Sequence, residues 1–232
     1  VTVTADDKTK VTGYPDPVFT FVASGFLGVD SFAANPSCGV VGAHDAVGEY
    51  DIVCSGGDAG ANYTIASYVN GVLTVTAVPI QTLTIRSAAS TDGWILESSE
   101  TSGVGGTKDN TAATFNLGDD AADKQYRAIL SFNTAGLPDN AVIKKVTLKI
   151  RKQGLIGTDP FTTHGSLMAE IRKPFLGLSA ALVIGDFNAT VDKVAGLFGL
   201  TPVNNWYSVT VGAASYPYVN LLGTTQFRLR FQ

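Results

Sequence analysis

The chain has 232 residues, enough for one large or two ordinary domains, and only 16% of them are charged against about a quarter in an average soluble protein. The net charge of -4, with pI near 5.1, gives no electrostatic reason to bind nucleic acid, whose phosphates demand a basic face. No apolar run approaches the ~18 to 20 residues that span a bilayer, and the chain opens with neither an initiator Met nor a signal-peptide core, so mature, soluble material without a membrane span is expected.

The first predicted strand is Val1-Thr2-Val3-Thr4-Ala5, where β-branched residues alternate. The same grammar returns at Leu73-Thr74-Val75-Thr76-Ala77, and a recurrence after about seventy residues reads as a slice of a modular array from a longer protein. Between the copies, Gly13-Tyr14-Pro15-Asp16-Pro17 is a double-proline turn, and Val18-Phe19-Thr20-Phe21-Val22 alternates until Ser24-Gly25 breaks it. Strands are also expected at Gly48 to Val53 and Gly60 to Ile65, with a turn at Asn70-Gly71. Cys38 and Cys54 flank a run containing Gly39, Gly42 and Gly48 that can turn back, so they are expected to pair; two buried free thiols are the alternative. A closed loop of roughly 15 residues stabilises by about 3 kcal/mol in the chain-entropy model, and its persistence implies an oxidising compartment.

These residues carry a resemblance. Thr4 to Lys10, Gly13-Tyr14-Pro15-Asp16-Pro17, Gly48-Glu49-Tyr50, Asn62-Tyr63-Thr64 and Leu73-Thr74-Val75 resemble the MBG-type repeat of bacterial surface proteins and adhesins, over about residues 1–77. The resemblance implies a small β-sandwich used as a stalk or spacer, with no catalytic residues to carry over, and the cysteine pair departs from most such repeats. The first domain is set at 1–78 and the second at 79–232.

Past Leu83 the texture changes. Leu83-Thr84-Ile85 and Trp94-Ile95-Leu96-Glu97 are short strand candidates, and the Gly-, Ser-, Thr- and Asp-rich stretch from Ser98 to Asp123 reads as loop with one strand at Ala113-Thr114-Phe115. Gly103-Val104-Gly105-Gly106-Thr107-Lys108 has the wrong glycine spacing for a phosphate loop and reads as a flexible turn. Tyr126 to Phe132 is a strand, and in Val142 to Arg151 the apolar Val146, Leu148 and Ile150 share one face while Lys145, Thr147, Lys149 and Arg151 share the other. Leu167 to Arg172 and Phe227-Arg228-Leu229-Arg230-Phe231 alternate similarly, and their basic rows read as solvated faces that discourage edge pairing rather than as a polyanion site. Residues 189–198 read as one or two helical turns, weakened by Gly196 and Gly199.

Gly118-Asp119-Asp120, Tyr126 to Phe132, Leu137-Pro138, Val146 to Ile150 and Thr225 to Phe231 resemble a DNRLRE-type domain, a β-sandwich appended to secreted proteins, from about Leu83 to the end. Some members of that family bind polysaccharide. Such domains continue past the Phe-Arg-Leu-Arg-Phe strand, so the resemblance implies an apolar cleft at Phe227, Leu229 and Phe231, left by truncation or processing or filled by a strand from another subunit. Val1, Thr2, Val3 and Thr4 are the candidate donor.

The search for reaction chemistry is negative. His44 and His164 lie in no two-ligand spacing, and no G-x-S-x-G elbow presents a nucleophile, so no enzyme is expected and no cofactor beyond a candidate Ca²⁺ at Asp119, Asp120 and Asp123, with Asp92 and Glu97 as further carboxylates. Tyr216, Tyr218 and Trp206 are sugar-stacking candidates, although the alternation of Trp206 to Val211 favours Trp206 in the core. Asn62-Tyr63-Thr64 and Asn188-Ala189-Thr190 have the form of glycosylation sequons. The reading is all-β: two tandem β-sandwiches, the second jelly-roll-like, from an extracellular or cell-surface protein. Its role is structural and adhesive, with neighbouring modules or copies of itself as partners; a polysaccharide-binding appendage is the alternative.

Overall fold

A computed structural model describes all residues, Val1–Gln232; its regular elements are almost all strands, in two compact units, Val1–Thr82 and Leu83–Gln232.

The first unit has seven strands: β1 (Thr2–Ala5), β2 (Lys8–Val11), β3 (Phe21–Ser24), β4 (Ser37–Val40), β5 (Gly48–Ser55), β6 (Ser67–Val69) and β7 (Gly71–Thr76). They form a three-stranded sheet, β3-β1-β6, and a four-stranded sheet, β2-β7-β5-β4. The chain crosses between the sheets five times, most tightly through Asp6-Asp7 between β1 and β2 and through Asn70 between β6 and β7, and β1–β6 and β2–β7 pair parallel while β1–β3 and β5–β7 pair antiparallel. The crossings are held together where Asp7 Oδ1 accepts the Val72 amide (2.7 Å). Gly71 is needed there, because a Cβ would lie 2.7 Å from the Ala5 carbonyl oxygen. The core is Val3, Ala5, Ile52, Cys54, Leu73 and Val75, flanked by Phe19, Phe21, Phe32 and Tyr50.

The recurrent Val-Thr grammar is therefore that of the first and last strands of one unit. Val3 and Ala5 in β1, and Leu73 and Val75 in β7, are buried while the threonines between face outward, so a shared burial pattern accounts for it without a second module. The expected strand at Gly60 to Ile65 is turn and coil, and strand begins only at Ser67.

The second unit has nine strands: β8 (Gly93–Glu97), β9 (Gly105–Asp109), β10 (Gly118–Asp119), β11 (Gln125–Asn133), β12 (Thr147–Arg151), β13 (Leu167–Arg172), β14 (Lys193–Leu197), β15 (Trp206–Thr210) and β16 (Thr224–Phe231). The main antiparallel sheet runs β14-β13-β16-β11-β8-β9, with β10 also on β11, and β12 and β15 make a two-stranded layer against it. Between the layers lie Ala128, Leu130, Leu148, Ile150, Leu229 and Phe231 among others. A one-turn helix, α1 (Pro160–Thr163), capped by Asp159, brings Phe161 onto Tyr207 (ring centroids 5.0 Å) and edge-on to Phe231 (5.0 Å).

The other face of the main sheet is covered by residues 173–191, whose Leu176, Leu182 and Phe187 bury against Ile95 and Ile129. Six expectations change here. Residues 189–198 contain strand β14 in place of helix, because pairing with β13 overrides the local pattern. Gly103 to Lys108, read as a flexible turn, contributes β9, and its glycines permit close packing: a Cβ on Gly105 would sit 2.5 Å from the Ile184 carbonyl oxygen. Ala113 to Phe115 and Leu83 to Ile85 form no strand. The free donor and open cleft are also absent: β1 is the central strand of its sheet with Val3 fully buried, and β16 lies between β13 and β11 with Phe227, Leu229 and Phe231 covered by the β12–β15 layer and α1.

Candidate functional site

Three clusters concentrate polar chemistry. The first is the face of β16 under residues 173–191. Alternation sends Phe227, Leu229 and Phe231 to the core between the layers and Gln226, Arg228 and Arg230 to the opposite face, where Arg228 is only 5% exposed. Register places Glu170 of β13 beside it, and Arg228 Nε donates to Glu170 Oε2 (2.7 Å). Arg228 Nη1 donates to the carbonyls of Asp186 (3.1 Å), Phe187 (3.0 Å) and Ala189 (2.8 Å), and Arg230 takes the second Glu170 oxygen at 3.1 Å. Gln226 bridges the Ser131 hydroxyl (3.0 Å), the Ala180 carbonyl (2.8 Å) and the Leu176 amide (2.9 Å). Arg127 donates to the Phe187 carbonyl (2.6 Å) and lies 4.0 Å from that ring's centre; burial, with Arg228 and Arg230 nearby, lowers its pKa to about 10. Of the basic row on β16, expected to be solvated, Arg228 instead binds the backbone of a covering segment and Arg230 pairs with Glu170.

Asp186 sits in the same layer, fully buried. Oδ2 accepts the Val183 amide (2.9 Å), Oδ1 has no partner, and burial pushes the carboxyl above the usual carboxylate range against the pull of Arg228 and Lys108. A Cβ on Gly177 would stand 2.5 Å from that oxygen.

The second cluster lies beside the double-proline turn of the first unit. Lys10 Nζ meets Asp16 (2.9 Å) and Asp45 (3.2 Å), and His44 bridges Asp16 (2.7 Å) and the Gly42 carbonyl (2.6 Å). The hydrogen bond to Asp16 raises His44, that from Lys10 lowers Asp16, and the Gly13 amide lowers Asp45. The groups tie the turn to the segment before β5.

The third is the covalent staple. Cys38 and Cys54 are direct partners across β4 and β5 and form a disulfide, with Cα atoms 4.0 Å apart.

The candidate metal ligands do not converge. Asp119 pairs with His164 (3.1 Å), Asp120 accepts the Ala122 and Lys124 amides (2.9 and 3.0 Å) and pairs with Lys124, and Asp123 lies in the turn between them. No group of three or more metal-ligating side chains exists in the chain. Asp92 caps the Ser131 amide (2.7 Å) and Glu97 the Gly103 amide (2.6 Å). Tyr216 and Tyr218 lie in a short 3-10 turn, half-buried against the core, with the Tyr216 hydroxyl donating to the Lys144 carbonyl (3.3 Å). The phase of β15 is opposite to expectation: Tyr207 and Val209 point inward and Trp206 is 44% exposed. Trp206 lines a shallow depression of about 360 Å³ with Lys149, Val203, Asn204 and Ser208. Asn204 and Asn205 hold φ of 50° and 65° in the tight turn that presents it, an Asn-Asn hairpin signal readable in the sequence. No helix is long and apolar enough to cross a membrane.

No curated protein and no solved structure matches the chain. Residues 1–74, nearly all of the first unit, match the MBG domain (YGX type), a family of surface-protein repeats.

Proposed function

We propose that the chain is a non-catalytic structural and adhesive part of an exported surface protein or filament, its first unit a stapled spacer and its second a β-sandwich of the DNRLRE type. The MBG match over residues 1–74 carries this reading, and the Cys38–Cys54 bond fits an oxidising, extracellular location. The polar clusters support it as well, because their hydrogen bonds join turns, strands and a covering segment to one another. Stretching single molecules held at both ends tests the role. Two force peaks are expected, the one from the first unit lengthening on reduction as the loop between Cys38 and Cys54 is released; a chain that extends without resistance contradicts it.

The exposed Trp206 beside Asn204 and Lys149 favours one alternative, a carbohydrate-binding appendage. That reading expects retention on a polysaccharide column, lost in Trp206→Ala.

A further inference from the structure

Charge is divided unevenly along the chain. Residues 1–82 hold two lysines against eight carboxylates, a net of -6, while residues 83–232 hold fourteen Lys and Arg against twelve Asp and Glu, a net of +2. Within the second unit Lys144, Lys145, Lys149, Arg151 and Lys152 fall in one short stretch that contains no carboxylate, and none of them enters an ion pair. β12 turns Lys149 and Arg151 outward, and register sets the exposed Trp206 opposite Arg151. An exposed Trp set opposite an outward Arg, amid unpaired lysines on a chain of net negative charge, gives this face an aromatic anchor and a charge that can steer a partner.

The first unit offers its complement. On the outer face of its four-stranded sheet, β5 presents Glu49 and Asp51, and Asp7, Lys8, Thr9, Glu49, Val72 and Thr74 line a shallow groove of about 520 Å³, with one lysine against two carboxylates. Glu49 and Asp51, like Lys149 and Arg151, are two residues apart on one face of a strand, so both pairs repeat at about 6.8 Å.

We propose that the β12–β15 face of one copy docks on the outer face of the four-stranded sheet of a second copy, with Lys149 and Arg151 against Glu49 and Asp51 and with Trp206 in the groove. The two faces are different surfaces of the same chain, so the contact is heterologous and repeats head to tail from copy to copy. It rests on the structural-subunit reading and supplies that reading with a joint. Two strands on one side and three on the other make a small contact of the weak, charge-steered class.

Sedimentation velocity of the intact chain tests it. The mean mass is expected to climb with concentration at low salt, and raising salt from about 20 mM to about 0.5 M to weaken association at least tenfold. Lys149→Glu with Arg151→Glu, and separately Glu49→Lys with Asp51→Lys, are each expected to abolish association. Mixing the two variants is expected to restore it, since each then carries the face the other accepts, and only folded variants can do this. A wild-type chain that stays monomeric at low salt, association that survives both reversals, or a mixture that stays monomeric overturns the proposal. So does a monomer that instead uses Lys149 and Arg151 to hold an acidic polysaccharide. A monomer that still resists stretching removes this joint and leaves the spacer role standing.

Discussion

The two units meet the same requirement, a stable sheet-on-sheet body, with different means. The first closes its sandwich over a small core, Val3, Ala5, Ile52, Cys54, Leu73 and Val75, and adds a covalent bond within that core. The second is larger, buries side chains on both faces of its main sheet, and fixes its covering segment with the buried side chains of Gln226 and of Arg228, itself paired with Glu170, which satisfy backbone groups. Where the apolar core is limited by size, a disulfide restricts the unfolded chain; where a second face must be covered by an irregular segment, each of its carbonyls and amides needs a partner.

The contrast can be broken at either end. Both tryptophans, Trp94 and Trp206, belong to the second unit, so Trp fluorescence reports its unfolding. Arg228→Ala leaves Glu170 buried with a weaker partner and orphans the Asp186 and Ala189 carbonyls, the Phe187 carbonyl keeping Arg127, and a loss of about 3 to 5 kcal/mol in the Trp-reported transition is expected in urea. Cys38→Ser with Cys54→Ser is expected to cost the first unit about 2 to 4 kcal/mol, read by urea titration of far-UV circular dichroism.

Smaller effects sharpen the picture through pH. Asp186 has a raised folded-state pKa, so the folded state holds its proton more tightly and stability falls as pH rises through that value. Asp186→Asn is expected to raise the Trp-reported midpoint at pH 8, by about 1 kcal/mol, and to leave it nearly unchanged at pH 4. In the first unit the raised His44 contributes stability fully below its ordinary value of 6.5, lost as pH rises through the folded value, and the lowered Asp16 and Asp45 contribute above 3.8, lost as pH falls through theirs. The cluster is therefore strongest between these limits, and His44→Ala is expected to flatten the alkaline side of the first unit's stability profile.

Much of this architecture was legible as alternation. β12 and β16 read correctly as strands, with Leu148 and Ile150, or Phe227, Leu229 and Phe231, on one side. Alternation does not say what covers the other side. Lys149 and Arg151 meet solvent, whereas Arg228 is covered by residues about forty positions earlier in the chain, a long-range event that no local window contains. The inversion at Trp206 has the same origin: a period of two fixes which residues share a face and leaves open which face is buried. β9 was missed because its glycines signal flexibility locally, while in the fold they admit Ile184 and Ser98 to close range. The Cys38–Cys54 pairing was readable because the turn between the cysteines was, but the ion cluster at Lys10, Asp16, His44 and Asp45 joins two loops whose approach only the sheets determine.

The claim beneath the comparison is that each unit is held by its own device, and urea unfolding followed by Trp fluorescence with and without a thiol reductant tests it most directly. The Trp-reported midpoint is expected to be the same in both conditions, while the circular dichroism signal of the first unit melts earlier once the Cys38–Cys54 bond is reduced. A Trp midpoint that falls with reduction, or a first unit indifferent to it, contradicts the account.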